Sequence, residues 1–157
     1  MQILRELGAN EILILGLSGW LVAQVAKTII YLIINKELRL ERMVGDGGMP
    51  SCHSATVMSA ATATGLTQGF ASPIFAIAFL VAIIVMHDAM GVRLETGKQA
   101  KILNELISEF REKGMAFISM APEERLKEFV GHTRNQVLVG AIIGIMVAIA
   151  GHYLIFV

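Results

Sequence analysis

The stretch SCHSATVMSAATATGLTQG, residues 51–69, decides the fold. Thirteen of its nineteen residues are Ala, Ser, Thr or Gly, and only Val57, Met58 and Leu66 are bulky aliphatics. A helix of this make-up gains little from facing lipid but lets neighbouring backbones approach closely, which places it at the centre of a bundle. The runs around it are far more apolar: Ile12 to Ile34, broken by Gln24 and Lys27; Pro73 to about Met90; and Val137 to Val157, which carries Gly140-x-x-x-Gly144 as a packing notch. Each is long enough for a membrane helix of roughly 20 residues. Gly69-Phe70-Ala71-Ser72-Pro73 reads as a tight turn that makes a helical hairpin of the second and third runs. The expected fold is therefore all-α, a polytopic membrane helix bundle of about four transmembrane helices plus cytoplasmic interfacial helices. A single integral membrane domain spans 1–157 in this reading.

Composition agrees. The chain is 55% hydrophobic and only 17% charged, with a mean hydropathy of +0.65. That excludes a disordered chain, a disulfide scaffold and a nucleic-acid binder. Thirteen Lys+Arg cancel thirteen Asp+Glu, so no net field steers the chain to a polyanion. One cysteine, Cys52, can form neither an internal disulfide nor a cysteine-rich metal site. The first run is too long for a signal peptide, and no small-x-small cleavage site follows it.

The cations are unevenly placed. Lys36, Arg39 and Arg42 lie in 35–50, and Arg93, Lys98, Lys101, Arg111, Lys113, Arg125, Lys127 and Arg134 lie in 91–135, which together hold eleven of the thirteen. The positive-inside rule makes both segments cytoplasmic and both termini external, with a bacterial cell membrane as the expected location. Ile102, Leu103, Leu106, Ile107 and Phe110 share one helical face, which predicts an interfacial helix. Pro122-Glu123-Glu124 predicts the start of another short helix, ended by Gly131.

Two clusters can carry chemistry. Gly47-Gly48-Met49-Pro50-Ser51-Cys52-His53-Ser54 leads into the small-residue helix, with Ser51 as its cap and His53 at its N-terminus, where free N–H groups favour an anion. An ordinary capped turn with a loop-bonded histidine fits the same spacing. Gly131-His132-Thr133-Arg134-Asn135-Gln136 precedes the last span, with Thr133 and Gln136 spaced as a capping box. Two histidines at two helix N-termini on one membrane face can divide phosphoryl transfer between them, one attacking phosphorus and the other protonating the leaving oxygen. Gln24, Lys27 and Tyr31 share a face of the first span at i, i+3, i+7. That face reads as pointing inward, with snorkelling of Lys27 to the surface as the alternative.

These residues resemble a family. Pro50-Ser51-Cys52-His53 is similar to the P-S-x-H motif of the type 2 phosphatidic acid phosphatase and vanadium-dependent haloperoxidase superfamily, and His132 to Gly140 to its third motif. The fuller pattern resembles the divergent membrane branch of that superfamily: 47–55, Asp88-Ala89-x-Gly91-Val92-Arg93, Gly97-x-Gln99-Ala100, Asn104 and Gly131-His132-Thr133. The resemblance runs from about Gln24 to Gly144. It implies His132 as the nucleophile forming a phosphohistidine, His53 as the general acid, and Ser51 and Lys27 as phosphate-binding groups. It implies no cofactor and no metal, and the chain holds only two aspartates, Asp46 and Asp88, for a hard cation.

Several positions depart from the pattern. No Arg-Pro follows Lys27, and Arg42 is the nearest substitute. Leu126 stands where the third motif has arginine, so Arg93, ordered by Asp88, is expected to supply that guanidinium. Gln136 replaces the acid that orients the nucleophile, with Glu128 as a candidate stand-in, and Arg134 replaces a frequent proline. His87 is expected to pair with Asp88, His152 to be interfacial and Cys52 to be a small apolar filler. The reading is a membrane phosphatase-like protein acting on a lipid phosphate or diphosphate at the cytoplasmic face. The alternative is a non-catalytic lipid-phosphate binding, transport or membrane assembly protein that keeps the anion site. Expected partners are a lipid phosphate and the bilayer, with a homo-oligomer left open.

Overall fold

A computed structural model describes residues 1–37, 47–113, 125–128 and 130–157. Its helices run in the order α1 (Gln2–Gly8), α2 (Glu11–Asn35), α3 (Cys52–Gln68), α4 (Pro73–Met90), α5 (Val92–Glu112) and α6 (Arg134–Gly151), with a π-helical turn at His152–Phe156. The molecule is an all-helical membrane bundle. Among the described residues, three stretches are long and apolar enough to cross a membrane: Glu11–Asn35, Pro73–Glu112 and Arg134–Phe156. The fourth expected span, residues 51–69, forms the 17-residue α3, at the short end of the range for a membrane helix.

Helix α3 packs against α2, α4 and α6, and small residues set how closely. Gly19 of α2 lies where a methyl group would come within 2.8 Å of the Ala55 carbonyl oxygen and the Ser59 side chain. From α6, methyl groups on Gly140 and Gly144 would collide with the carbonyl oxygens of Ser51 and Ala55. The Gly-x-x-x-Gly notch thus does what its spacing predicts: it admits the backbone of α3. Ser59 Oγ donates to the Leu15 carbonyl at 2.7 Å, a cross-helix bond that gives a buried hydroxyl its partner inside the apolar core.

The hairpin turn also forms as expected. Gly69 has φ +84°, and Ser72 caps α4 by accepting from the Phe75 amide at 3.2 Å, with Pro73 in the first turn. Phe70 folds back over Gly65, which has no side chain to obstruct it. Helix α4 buries only Ala82 and Ala89, so nearly its whole circumference is left for lipid.

After Gly91 the chain continues as α5, whose Ile102, Leu103, Leu106 and Phe110 are exposed, the apolar face of an interfacial helix. The start of the short helix expected from Pro122 lies outside the described residues, and 125–128 are not helical. That segment lies along α5 instead. Asn104 Nδ2 donates to the Leu126 carbonyl at 2.9 Å and to Glu128 Oε1 at 2.8 Å, and its Oδ1 accepts from the Leu126 amide at 3.0 Å. A methyl on Gly97 would lie 2.5 Å from the Glu128 carbonyl oxygen. Side-chain amide and glycine together replace the intrahelical bonds that a helix would have supplied.

Candidate functional site

The two histidine clusters meet at one end of the bundle. Ser51 caps α3: its Oγ accepts from the Ser54 amide at 3.3 Å and from Ser54 Oγ at 3.0 Å, and its carbonyl accepts from the Ala55 amide. The Ser51 amide donates to the Gln136 carbonyl at 3.0 Å, which ties the start of α3 to the start of α6. The hydroxyl expected to bind phosphate is therefore fully buried and serves as a cap.

His132 is placed by three contacts. Its amide donates to the Ala89 carbonyl at the end of α4 at 2.9 Å. Gly131 before it, at φ +91°, lies so close to Leu94 and to the Arg93 carbonyl carbon that any Cβ would collide. Its Nδ1 is 3.4 Å from Gln136 Oε1, which also accepts from the Thr133 amide at 3.0 Å. That amide identifies the Gln136 oxygen as an acceptor, so the contact with His132 is one that Nδ1–H donates. The ring is only 2% exposed.

The rings of His53 and His132 stand 5.9 Å apart, inclined at 61°. Lys27 is buried at 3% exposure, so the inward reading of its face holds and snorkelling does not. Its Nζ donates to Cys52 Sγ at 3.8 Å, and the same sulfur lies 3.8 Å from His53 Nδ1. Burial is the main cause holding the His132 imidazole below its ordinary pKa, and the nearby His53 and Lys27 charges push it the same way. The hydrogen bonds to Gln136 and the Gly48 backbone oppose this without cancelling it. His132 is thus kept neutral, the state in which a nitrogen can attack.

Other expected residues fall differently. Asp88 Oδ2 holds Arg93 Nε at 2.7 Å, so Asp88 orders Arg93 as expected and takes it as partner in place of the anticipated His87. The Glu128 carboxylate is taken by Asn104, and His132 has Gln136 beside it instead. Arg42 lies outside the described residues. Cys52 is no inert filler, since it touches both Lys27 and His53. His152, at the other end, has Nδ1 2.5 Å from Glu11 Oε1. Two contributors escaped the sequence reading: Gly48, whose backbone bonds His132, and Ala89. Gly48 could have been suspected from the Gly-Gly pair, which sits at positive φ.

Two cavities flank that glycine pair. One of about 180 Å³ is lined by Lys27, Tyr31, Asn35, Gly48 and Met49 among others. The second, about 190 Å³, is lined by Gly47, Gly48, Glu128, Gly131, Thr133 and Gln136 among others.

Comparison with known proteins matches residues 8–147 to the model of a family described as the Divergent PAP2 family. The chain is also 35% identical over 154 residues to the uncharacterized membrane protein YuiD of Bacillus subtilis (strain 168), covering 94% of this chain and 98% of that protein. No solved structure matches the chain.

Proposed function

Because the chain belongs to the divergent PAP2 family, we propose that it is a membrane phosphatase that hydrolyses a lipid phosphate or diphosphate at the cytoplasmic face of a bacterial cell membrane. The observation that carries this reading is the pair of histidine rings 5.9 Å apart at two helix N-termini, one of them held by Gln136 through Nδ1. Rings this close are in edge-to-face contact, so both can serve one phosphate that lies beside them.

Nε2 of His132 attacks phosphorus as the ester P–O bond breaks, and His53 gives its proton to the departing alkoxide. Lys27 and Arg93 offset charge on the equatorial oxygens. Water then attacks the phosphohistidine, His53 takes the proton released, and the P–N bond breaks to return His132 and inorganic phosphate. Gln136 accepts from Nδ1–H throughout. The clustering of eleven of thirteen cations in two segments supports the cytoplasmic assignment.

A second reading rests on the same glutamine. Gln136 has no charge with which to stabilise an imidazolium, as the usual carboxylate does, which favours a protein that binds or moves lipid phosphates without turnover. Trapping of labelled phosphate by rapid alkaline denaturation, which preserves the acid-labile P–N bond, separates the two. Hydrolysis predicts a covalent adduct on the wild type that His132→Ala lacks; binding alone leaves none, and that result would remove the enzyme assignment.

A further inference from the structure

Gln24 is 2% exposed, and its Oε1 is a buried oxygen that accepts no hydrogen bond among the described residues. An unpaired carbonyl at membrane depth is expensive, and a buried group of this kind calls for an explanation in function. Its position supplies one. Gln24 shares a face of α2 with Lys27 and Tyr31, and at 1.5 Å per residue it sits about 4.5 Å farther from the mouth than Lys27. Lys27 marks the level of the phosphate, through Cys52 and its charge on His132. Gln24 therefore lies at the depth of the first carbon atoms beyond the ester oxygen. Farther along the same two helices, Leu13, Gly16 and Leu17 of α2 and Thr56 and Ala60 of α3 line a mostly apolar cavity of about 310 Å³. Thr56 follows His53 by a single helical step of i+3.

We propose that Gln24 accepts a hydrogen bond from a hydroxyl that the substrate carries next to its phosphate. The preferred ligand is then a hydroxyl-bearing lipid phosphate whose apolar chain continues along the groove that α2 and α3 line. This rests on the phosphatase reading and narrows it to a substrate class. A cationic donor is disfavoured because the Lys27 ammonium occupies the same face. A polyprenyl phosphate has no donor to offer.

The test uses the purified full chain in lipid nanodiscs with two substrates. One is a monoacylglycerol phosphate with its free hydroxyl beside the phosphate-bearing carbon, and the other is its deoxy analogue. Wild type should favour the hydroxyl substrate by about tenfold in kcat/KM, the usual worth of such a bond. Gln24→Leu should bring that substrate down to the level of the deoxy analogue and leave the latter unchanged. Without ligand, the Gln24→Leu protein should melt no lower than wild type, because an unpaired carbonyl has been replaced by an apolar group; a purely structural glutamine would lower the melting temperature. Equal kcat/KM for the two substrates in wild type, or a preference that survives Gln24→Leu, overturns the inference while the phosphatase reading stands. If neither substrate releases phosphate, the hydrolytic reading falls instead. Competition of the two compounds for binding then decides the role of Gln24 by the same tenfold criterion.

Discussion

The bundle holds a histidine tied to another residue at each of its ends, and the two ends use that side chain in opposite ways. At one end His132 stands just before the N-terminus of α6, buried, next to Lys27 and His53, with a neutral amide oxygen on Nδ1. At the other, His152 begins the π-helical turn that continues α6 and contacts the Glu11 carboxylate, which opens α2. A helix N-terminus carries partial positive charge, and burial beside it withholds a second proton from His132. The surroundings and the partner residue, more than the histidine itself, separate a site for chemistry from a tie between helices.

Removing each histidine in turn gives the largest expected contrast. His132→Ala should lower phosphate release by on the order of 10³-fold or more, whereas His152→Ala should leave kcat within about twofold, since it lies outside the site. A steady-state assay on both variants reads this directly, and equal losses would dissolve the distinction. Next in size is the seam that fixes both ends to α3. Gly144→Leu places a side chain against the Ala55 carbonyl and should cost about 3 kcal/mol or more, seen as a lower melting temperature together with lost activity. Glu11→Gln should cost about 1–2 kcal/mol, because it weakens a charge-assisted bond at a site 14–16% exposed; thermal denaturation should register it while kcat holds.

The smallest effect is in pH. Because the His132 pKa is lowered in the fold, the acid limb of kcat/KM should fall below the ordinary histidine value of about 6.5. Lys27→Met removes one of the depressing charges and should move the limb upward, whatever it does to the rate. The unfolded chain binds this proton more readily than the folded one, so stability rises with pH in this window and is lost as pH falls below about 6.5. Melting curves across that range should flatten for His132→Gln.

Much of this was legible in the residues. Ser72 and Pro73 mark the start of α4 and Gly91 its end, and the structure agrees at both. The Gly140–Gly144 spacing foretold close approach to a small-residue helix, and Ser51 and Gln136 cap as their positions suggest. What could not be read is what depends on irregular backbone. The segment 125–131 has no period, and its docking onto Gly97 and Asn104 crosses some twenty residues of sequence. The Glu11–His152 contact spans nearly the whole chain. Of the two partners expected for Asp88, Arg93 and its neighbour His87, the turn at Gly91 brings only Arg93 to it. Helix α3 is short for a simpler reason: a core helix made of small residues needs less length than its neighbours, which meet the lipid on its behalf.

One consequence of the Asn104 clamp concerns mechanics. The exposed apolar face of α5 and the leader to His132 are coupled in series through a single carboxamide and a glycine. The bilayer surface is thereby a reference plane for His132: on the phosphatase reading proposed above, the seating of α5 among the headgroups enters the alignment of the two histidines.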